Sequence, residues 1–424
     1  MTADQQRKEI LVYSHPSMLQ EPILMGTLSA TVVRGKEIFS FEYSSDFLES
    51  DSVFEIDPNL KLYKGPQYLS EEERNFGIFL DSSPDRWGRV LMDRREAIKG
   101  RLEDRPRRRL MESDYLLGVY DESRMGALRF KTGIDGPFLD NDPAHSTPPM
   151  TSLRELERAT NELEDDKSLD DKDYLKRLSL LIAPGSSLGG ARPKASVRSE
   201  DDHLWIAKFP SKNDEFDVGA WEYLIHKLAS KCKVDMAQAR AEKFYSDQTT
   251  FMTKRFDRDE KENRYHFFSA MTLLGYQDGA DAQAGVSYLE LVELLQTRGA
   301  NISYDLEQLW RRIVFSICVS NTDDHLRNHG FMLTNSGLIL SPAYDINPNP
   351  KGYGLNLNID EQDNRLEKDI ALRVAPFFRL SQAKAKQIAN EIEEVVASWR
   401  IEAEKLNISR REIEQMSSSF LPYL

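Results

Sequence analysis

Cysteine is scarce in this chain, which has only two among 424 residues, Cys232 and Cys318. Two distant cysteines exclude a disulfide framework and are typical of a reducing compartment. Long apolar runs are also missing, since none approaches the roughly 20 residues that span a bilayer. The stretch MTADQQRKEI lacks the apolar core of a signal peptide. These absences predict a cytoplasmic protein with no membrane contact.

Positive charge is in deficit, because the formal net charge is −14. Such a surface is not suited as a whole to coating nucleic acid or anionic membrane. The run RLEDRPRRRL is a local exception and a candidate contact for DNA phosphates. A solvated turn balanced by Glu103 and Asp104 is the alternative. The arginines of this run are Arg101, Arg105, Arg107, Arg108 and Arg109.

The length of 424 residues predicts two domains or one large bilobed unit, and an apolar fraction of 40% is enough for a sizeable core. Short β-type runs fill residues 10–41, with turns expected near Gly26 and Gly35. A helical pattern follows and is predicted to stop at Gly100. Residues 133–151 are rich in proline, aspartate and glycine, and are predicted to link an N-terminal module to the rest.

The second half passes from a mixed pattern to a helical one. Helical spacing covers residues 153–181, and a loop rich in glycine and serine follows. Strands are predicted at 203–209 and 249–256, and helices at 221–231, 287–299, 306–319 and 381–413. The helix over 306–319 has five apolar residues on one face, Leu306, Leu309, Trp310, Ile313 and Ile317. This order predicts a small sheet lobe, then a helical lobe, with a cleft between them.

Polar side chains cluster in SNTDDHLRNHGFML, where the helix over 306–319 ends. Two short apolar runs then flank a turn of Asn, Ser and Gly, which predicts a β-hairpin. A hairpin returns the chain to its start, so Asp345 should lie beside Asp323 and Asn328. Asn328 and Asp345 offer the hard oxygen ligands that Mg²⁺ prefers, and Asp323 could accept a hydroxyl proton. The order D-x-x-x-x-N, hairpin, Asp is that of protein kinase active sites.

The cluster also departs from that pattern and has plain alternatives. Thr322 stands where kinases have arginine, and Asp-Ile-Asn replaces Asp-Phe-Gly. Acidic residues and asparagine after a helix often only form a turn. His325 and His329 have the spacing of a zinc pair, but the glutamate of H-E-x-x-H and a third ligand are missing. We therefore expect His325 to orient the loop by hydrogen bonding.

A phosphate-binding lysine is expected on the strand HLWIAKF. Lys208 shares a strand face with Ile206, so Lys208 would reach phosphate while Ile206 packs on the base. Glu222, on the next helix, could pair with Lys208 and hold it. An ordinary edge-strand lysine and a solvated glutamate are the alternative.

The loop GSSLGGARPK is not a Walker A loop, because Gly190 is followed by Ala-Arg-Pro-Lys rather than Lys-Ser/Thr. Its backbone N–H groups could still bind phosphate, with charge added by Lys194. Ser186 and Ser187 are hydroxyls that could themselves be phosphorylated. A flexible turn is the alternative.

Taken together, these stretches resemble the HipA family of bacterial serine/threonine kinases, the toxins of HipBA-type toxin–antitoxin modules. SSPDRWGRVLMDRR and DYLLGVYDESRMGALRF are similar to that family's N-terminal subdomain. LGGARPKA is similar to its Gly-rich loop, TKRFDR to its hinge, NTDDHLRNHGF to its catalytic loop and SPAYDI to its metal-binding segment. The resemblance covers nearly the whole chain.

The resemblance implies an α+β fold, bilobed and protein-kinase-like, with a β-rich N-terminal subdomain and an all-helical C-terminal lobe. It implies a division into an N-terminal subdomain of short strands and helices over residues 1–150, a kinase N-lobe with the Gly-rich loop over 151–257, and a helical C-lobe with the catalytic loop over 258–424.

The resemblance also implies roles for individual residues. Asp323 matches the catalytic aspartate, with His325 beside it, and Asn328 and Asp345 match the Mg²⁺ ligands. Ser187 matches the loop serine whose phosphorylation inactivates the kinase, although Ser186 could be the acceptor instead. The implied ATP-binding residues are Ser187, Leu188, Gly189, Gly190, Lys194, Ile206, Lys208, Glu222, Lys254, Phe256 and Asn328.

The implied function is ATP- and Mg²⁺-dependent phosphorylation of a translation component such as an aminoacyl-tRNA synthetase, which arrests growth. The implied partner is a small helix-turn-helix antitoxin similar to HipB, which carries the contact to operator DNA. Two alternatives stay open: a non-catalytic corepressor that binds the antitoxin on DNA, and a small-molecule phosphotransferase.

Overall fold

The computed structural model describes residues 7–50, 53–70, 73–164, 178, 181 and 192–422. The chain forms two compact units, and each is built from two segments. The first unit contains residues 1–207 and 257–277, and the second contains 208–256 and 278–424. The three-part division at residues 150 and 257 stays a prediction. The predicted linker at 133–151 lies within the first unit, where Leu139 N–H donates to Phe130 O at 2.8 Å.

A five-stranded antiparallel sheet dominates the first unit, in the order β4-β3-β2-β1-β5. The alternating apolar residues of these strands face the core, and Ile10, Val12, Leu28 and Phe41 are fully buried. The strands of this unit are β1 Arg7–Ser14, β2 Ile23–Val33, β3 Lys36–Tyr43, β4 Gln67–Tyr68, β5 Leu128–Lys131, β6 Lys194–Arg198, β7 Leu204–Lys208, whose last residue belongs to the second unit, and β10 Phe267–Ser269.

The predicted turn at Gly26 is wrong, and the one at Gly35 is confirmed. Gly26 lies inside β2 opposite Val12 and Tyr43. A Cβ atom at Gly26 would come within 2.2 Å of Glu42 O, so glycine is needed for close strand approach rather than for a turn. Arg34 and Gly35 both have positive φ, as the tight loop from β2 to β3 requires.

The first unit also contains helices. Their bounds are Ser45–Leu48, Gly77–Asp81, Arg86–Leu102, Glu112–Leu117, Leu153–Glu164 and Ala270–Leu274, with 3-10 turns at Asp121–Ser123, Pro143–His145 and Met150–Ser152. The helix Arg86–Leu102 begins at Asp85, whose side chain caps Gly88 N–H, and it continues past the stop predicted at Gly100. Residues 165–177 and 179–180 of the predicted helical stretch 153–181 lie outside the described residues.

Three arginines of the run that follows this helix are paired with acidic side chains. Arg105 contacts Glu96 at 2.6 Å, Arg107 lies 3.4 Å from Asp93, and Arg108 lies 3.6 Å from Asp114. These contacts fit the solvated-turn alternative better than a surface reserved for DNA phosphate.

The second unit is mostly helical. Its strands are β8 Ala239–Glu242, β9 Thr250–Lys254, β11 Gly330–Thr334 and β12 Gly337–Leu340. Its helices are Val218–Lys231, Tyr288–Arg298, Ile302–Val319, Lys368–Val374, Gln382–Ala397, Trp399–Lys405 and Arg410–Gln415, with 3-10 turns at Ala282–Ala284, Leu326–Asn328, Ala375–Phe378 and Ser417–Ser419. Among the described residues, no helix combines the length and the apolar character needed to cross a bilayer.

The helix Ile302–Val319 forms the centre of the second unit. All five residues of its predicted core face are fully buried, which confirms that face. Trp310 Nε1 donates to Ala371 O at 3.0 Å, so the one polar atom of this large side chain is satisfied inside the core. A helix held this firmly fixes the position of the segment that follows Val319.

Candidate active site

The polar cluster begins where the central helix ends. Ser320 adopts a left-handed conformation with φ 51°, which stops the helix. Asn321 N–H then donates to Ser316 O at 2.9 Å, and the chain passes through the 3-10 turn Leu326–Asn328 into β11. The cluster is therefore a short loop fixed at both ends by regular structure.

The predicted hairpin returns the chain to this loop. Phe331 pairs with Leu340, and Ser341 N–H donates to Gly330 O at 2.9 Å. Beyond the hairpin, Tyr344 Oη donates to Arg327 O at 2.7 Å. These contacts hold the segment that contains Asp345 against the 3-10 turn, as the sequence predicts.

Lys208 connects three distant parts of the second unit. Its Nζ lies 2.6 Å from Asp345 Oδ1 and 2.5 Å from Glu222 Oε1. Burial disfavours the charged ammonium, but the charges of Asp345 and Glu222 outweigh it and raise the pKa of Lys208. Lys208 is thus favoured as a cation at the end of β7, where carboxylates of the helix Val218–Lys231 and of the segment after the hairpin contact it.

Asp323 is the exposed carboxylate of the loop. Partial desolvation of its carboxyl, with the charges of Asp345 and Asp324, raises its pKa, although His325 opposes the rise. A raised pKa makes this carboxylate a better proton acceptor than an ordinary surface aspartate. Asn328 Nδ2 donates to Asp323 O at 2.9 Å, which fixes the two residues relative to each other.

Oxygen atoms suited to a hard cation lie in this loop and beside it. Asn328 Oδ1 is buried and has no hydrogen-bond partner among the described residues. Asp345 supplies a carboxylate and has φ 58°, a strained conformation of the kind found at functional sites. No group of three His, Cys, Asp or Glu side chains in the described part of the chain could hold a metal alone. These residues fit Mg²⁺ that is also bound by phosphate oxygens.

The predicted hinge begins in the last two residues of β9, which pairs with β8. Lys254 N–H donates to Gln238 O at 2.8 Å. Phe256 stacks on Tyr344 with ring centroids 5.5 Å apart and planes at 26°. Tyr344 directly precedes Asp345, so the hinge and the predicted metal-binding segment are in contact.

Comparisons with known proteins identify the family and the fold of this chain. A sequence model of the HipA-like C-terminal domain matches residues 186–399, which is half of the chain. The chain belongs to the HipA family. A HipA chain of Shewanella oneidensis MR-1, solved with HipB and operator DNA, superimposes with a TM-score of 0.64. The match covers 97% of this chain and 94% of that one at 16% identity, and it confirms the predicted fold class.

A Haemophilus influenzae protein, provisionally named as a kinase, is 25% identical to this HipA-family chain over 194 residues. The aligned part is 41% of this chain and 56% of that protein. The chain therefore spans little more than half the length of this curated relative.

Three predicted site residues of this HipA-family chain have surroundings that differ from expectation. Lys194 Nζ contacts the buried Asp85 carboxylate at 2.7 Å instead of being reserved for phosphate, because a buried carboxylate needs a cation. Ile206 was expected to pack on the nucleotide base, but only 2% of its surface is exposed in β7. His325 orients the loop through its backbone, whose N–H donates to Asp323 O, while its Nδ1 is buried with no partner among the described residues.

The Gly-rich loop residues Ser186, Ser187, Leu188, Gly189 and Gly190 lie outside the described residues.

Sequence reasoning missed several side chains that shape this site. Asn347 Nδ2 lies 3.4 Å from Asp345 Oδ1, and its backbone N–H donates to Asn321 Oδ1 at 3.2 Å. Tyr344 was missed as the partner of Phe256. Asn347 had a local signal, because it stands where kinases have the glycine of Asp-Phe-Gly, but Phe256 and Tyr344 are too far apart in sequence for any pattern to pair them.

Proposed function

We propose that this HipA-family chain is an ATP- and Mg²⁺-dependent serine/threonine protein kinase. The observation that carries the proposal is the pairing of buried Lys208 with both Glu222 and Asp345, beside Asp323 and Asn328. A buried lysine between two carboxylates is costly to maintain, and a merely structural site does not need it. Phosphoryl transfer does need it, because a fixed cation must meet the phosphates of the donor.

Each side chain has a distinct task in this mechanism. Lys208, held by Glu222, binds phosphate oxygens of ATP. Asp323 accepts a hydrogen bond from the acceptor hydroxyl, orients it and takes its proton. Asn328 and Asp345 would hold Mg²⁺, which neutralises phosphate charge when it is bound. Most of the rate gain comes from positioning, because phosphoryl transfer needs little covalent help.

The nucleotide base is proposed to lie at the hinge. Lys254 and Phe256 flank Arg255 there, and the stacked pair Phe256–Tyr344 provides a flat apolar surface next to Asp345. The backbone of this segment would make the polar contacts to adenine.

The biological role is proposed to be that of a toxin in a toxin–antitoxin module. The structurally similar Shewanella oneidensis HipA was solved with HipB and its operator DNA, which supports a HipB-like antitoxin as partner and DNA contact through it. The substrate is proposed to be a translation component such as an aminoacyl-tRNA synthetase. Phosphorylation of Ser186 or Ser187 is proposed to inactivate the kinase by placing negative charge where ATP phosphates bind.

Phosphate transfer from γ-labelled ATP in a cytosolic extract tests the proposal. The wild type should label a protein on serine or threonine when Mg²⁺ is present, and Asp345→Asn should not. Glu391→Gln is the matched control, because it removes a carboxylate from the exposed Lys233–Glu391 pair. Label in a small molecule instead would favour a phosphotransferase. Tight antitoxin binding without any transfer would favour a non-catalytic corepressor.

A further inference from the structure

Three buried polar side chains form a network directly behind the catalytic loop. Tyr288 Oη donates to Asp324 Oδ2 at 2.6 Å. His329 Nε2 lies 3.2 Å from Asp324 Oδ1, and the rings of Tyr288 and His329 meet edge to face at 5.6 Å. Their exposed fractions are 0% for Tyr288, 5% for Asp324 and 1% for His329. None of the three has a task in the mechanism proposed above.

The places of these residues in the chain suggest what the network does. Asp324 directly follows Asp323, and His329 directly follows Asn328. The network therefore holds the chain at both ends of the segment that carries the proposed proton acceptor and cation ligand. The helix Tyr288–Arg298 supplies the third member at its first residue.

The support for the network is rigid. Ser287 and Glu290 form a capping box at the start of the helix Tyr288–Arg298. Tyr288 N–H donates to Asn358 O at 3.0 Å. A side chain on a capped and anchored first turn is a fixed reference point for the loop that binds it.

We propose that the Tyr288–Asp324–His329 network is a positioning device that fixes the separation of Asp323 and Asn328. The inference rests on the proposed function, because it assigns that separation to phosphoryl transfer. Asp324 is the central member, since its Oδ2 accepts the hydrogen bond from Tyr288 and its Oδ1 lies within ion-pair distance of His329 Nε2.

The electrostatics agree with this assignment. Burial disfavours the charge of Asp324, but His329, Tyr288 and His325 outweigh it and lower the pKa of Asp324. Burial and the charge of Asp324 raise the pKa of Tyr288 well above its ordinary value, so the phenol keeps its proton and donates. The guanidinium of Arg312 is a further nearby charge.

Two conservative variants test the proposal. Asp324→Asn removes the charge with little change of volume, and Tyr288→Phe removes only the hydroxyl. Tyr304→Phe is the matched control, because Tyr304 Oη donates to Asp235 Oδ2 at 2.7 Å in the same unit but at an exposed position. For each variant we would measure kcat, KM for ATP, the Mg²⁺ concentration for half-maximal rate, thermal stability and amide exchange over residues 321–330.

A displaced Asp323–Asn328 pair should lower kcat by about 10- to 100-fold in Asp324→Asn, since small misplacements at a reacting centre have effects of that size. Tyr288→Phe should show the same pattern more weakly. KM for ATP should stay within about twofold, because Lys208 and the hinge are untouched, while the Mg²⁺ requirement should rise and exchange should quicken only in 321–330. Tyr304→Phe should match the wild type.

Wild-type kcat and Mg²⁺ requirement in both variants would overturn the proposal. A loss of thermal stability without these kinetic changes would also overturn it, since the network would then be purely structural. If Asp324→Asn fails to fold, Tyr288→Phe alone decides. A wild-type protein with no transfer contradicts the proposed function instead; amide exchange then decides the inference, and unchanged exchange over 321–330 in both variants refutes it.

Discussion

At the scale of single residues, Lys208 illustrates what the sequence can and cannot predict. The strand HLWIAKF and the following helix were enough to predict a lysine facing Glu222. The direct contact of Lys208 with Asp345 was not predictable, because it joins residues 137 positions apart. Lys194 shows the converse: its place after a Gly-rich loop suggested phosphate, whereas Asp85, 109 positions away, is its partner.

Removing the ammonium of Lys208 should destabilise the second unit strongly. Lys208→Met leaves the buried carboxylate of Glu222 and that of Asp345 without this cation, which should cost about 3 kcal/mol in the free energy of unfolding. Lys233→Met, which breaks an exposed pair with Glu391, should change it little. Urea unfolding measures both, and equal effects would contradict the assignment of Lys208 to a buried charge network.

A buried histidine in the first unit should make stability depend on pH. His266 Nε2 lies 2.8 Å from Ser14 Oγ, and burial lowers the pKa of His266 from 6.5 to about 3. The folded state therefore favours neutral imidazole. The contribution of this preference to the free energy of unfolding is complete above pH 6.5 and is lost as pH falls toward 3. The loss is roughly 2 kcal/mol between pH 7.5 and pH 5.

Comparison with His266→Gln isolates the contribution of His266 to the pH dependence of stability, because the carboxylates titrate alike in both proteins. The stability advantage of the wild type over His266→Gln in urea unfolding should be larger at pH 7.5 than at pH 5. An advantage that is the same at both values would show that His266 is not held neutral by the fold.

At the scale of elements, the hairpin was predictable because it depends on residues that are close together along the chain. Alternating apolar residues and an Asn-Ser-Gly turn specify both strands, and the observed pairing of Met332 with Ile339 follows. Gly26 was misread because a glycine has two uses, in turns and at close strand approaches. Only the neighbouring strand β3 decides between them, and its distance is a property of the sheet.

A glycine beyond the hairpin lies against the loop that carries Asp323. Asn349 Nδ2 donates to Thr322 Oγ1 at 2.7 Å, and a Cβ atom at Gly352 would come within 2.3 Å of Thr322 Cγ2. Gly352→Ala should therefore push Thr322, and with it Asp323, out of place. We expect phosphate transfer to fall by about tenfold or more.

The matched control for this prediction is Gly133→Ala, because a Cβ atom at Gly133 would meet nothing within 4 Å. That variant should keep both activity and thermal stability. Wild-type transfer rates in Gly352→Ala would mean that the contact with Thr322 does not position the loop.

At the scale of the whole molecule, the sequence predicted the mixed class and the helical second half but not the grouping into units. Each compact unit takes two segments of the chain, with exchanges after residues 207, 256 and 277. Composition and periodicity report on neighbours along the chain, so they cannot show that residues 257–277 rejoin the first unit.

Nucleotide should stabilise the second unit more than the five-stranded sheet. Lys208, Glu222, Asp323, Asn328 and Asp345 all belong to it. At an ATP analogue concentration of about 100 times Kd with Mg²⁺, the expected gain is about 2.7 kcal/mol. Amide exchange should slow in residues 208–256 and 278–424 more than in the five-stranded sheet. Equal protection of that sheet would contradict a nucleotide site composed of these residues.

The most direct measurement is phosphate transfer by Asp323→Ala from γ-labelled ATP, with Mg²⁺-dependent nucleotide binding measured on the same sample. Lys208 and Asp345 remain in this variant, so ATP should bind with an affinity within about threefold of the wild type, while transfer should fall by at least about 100-fold. Transfer at the wild-type rate by a folded Asp323→Ala protein would contradict the account.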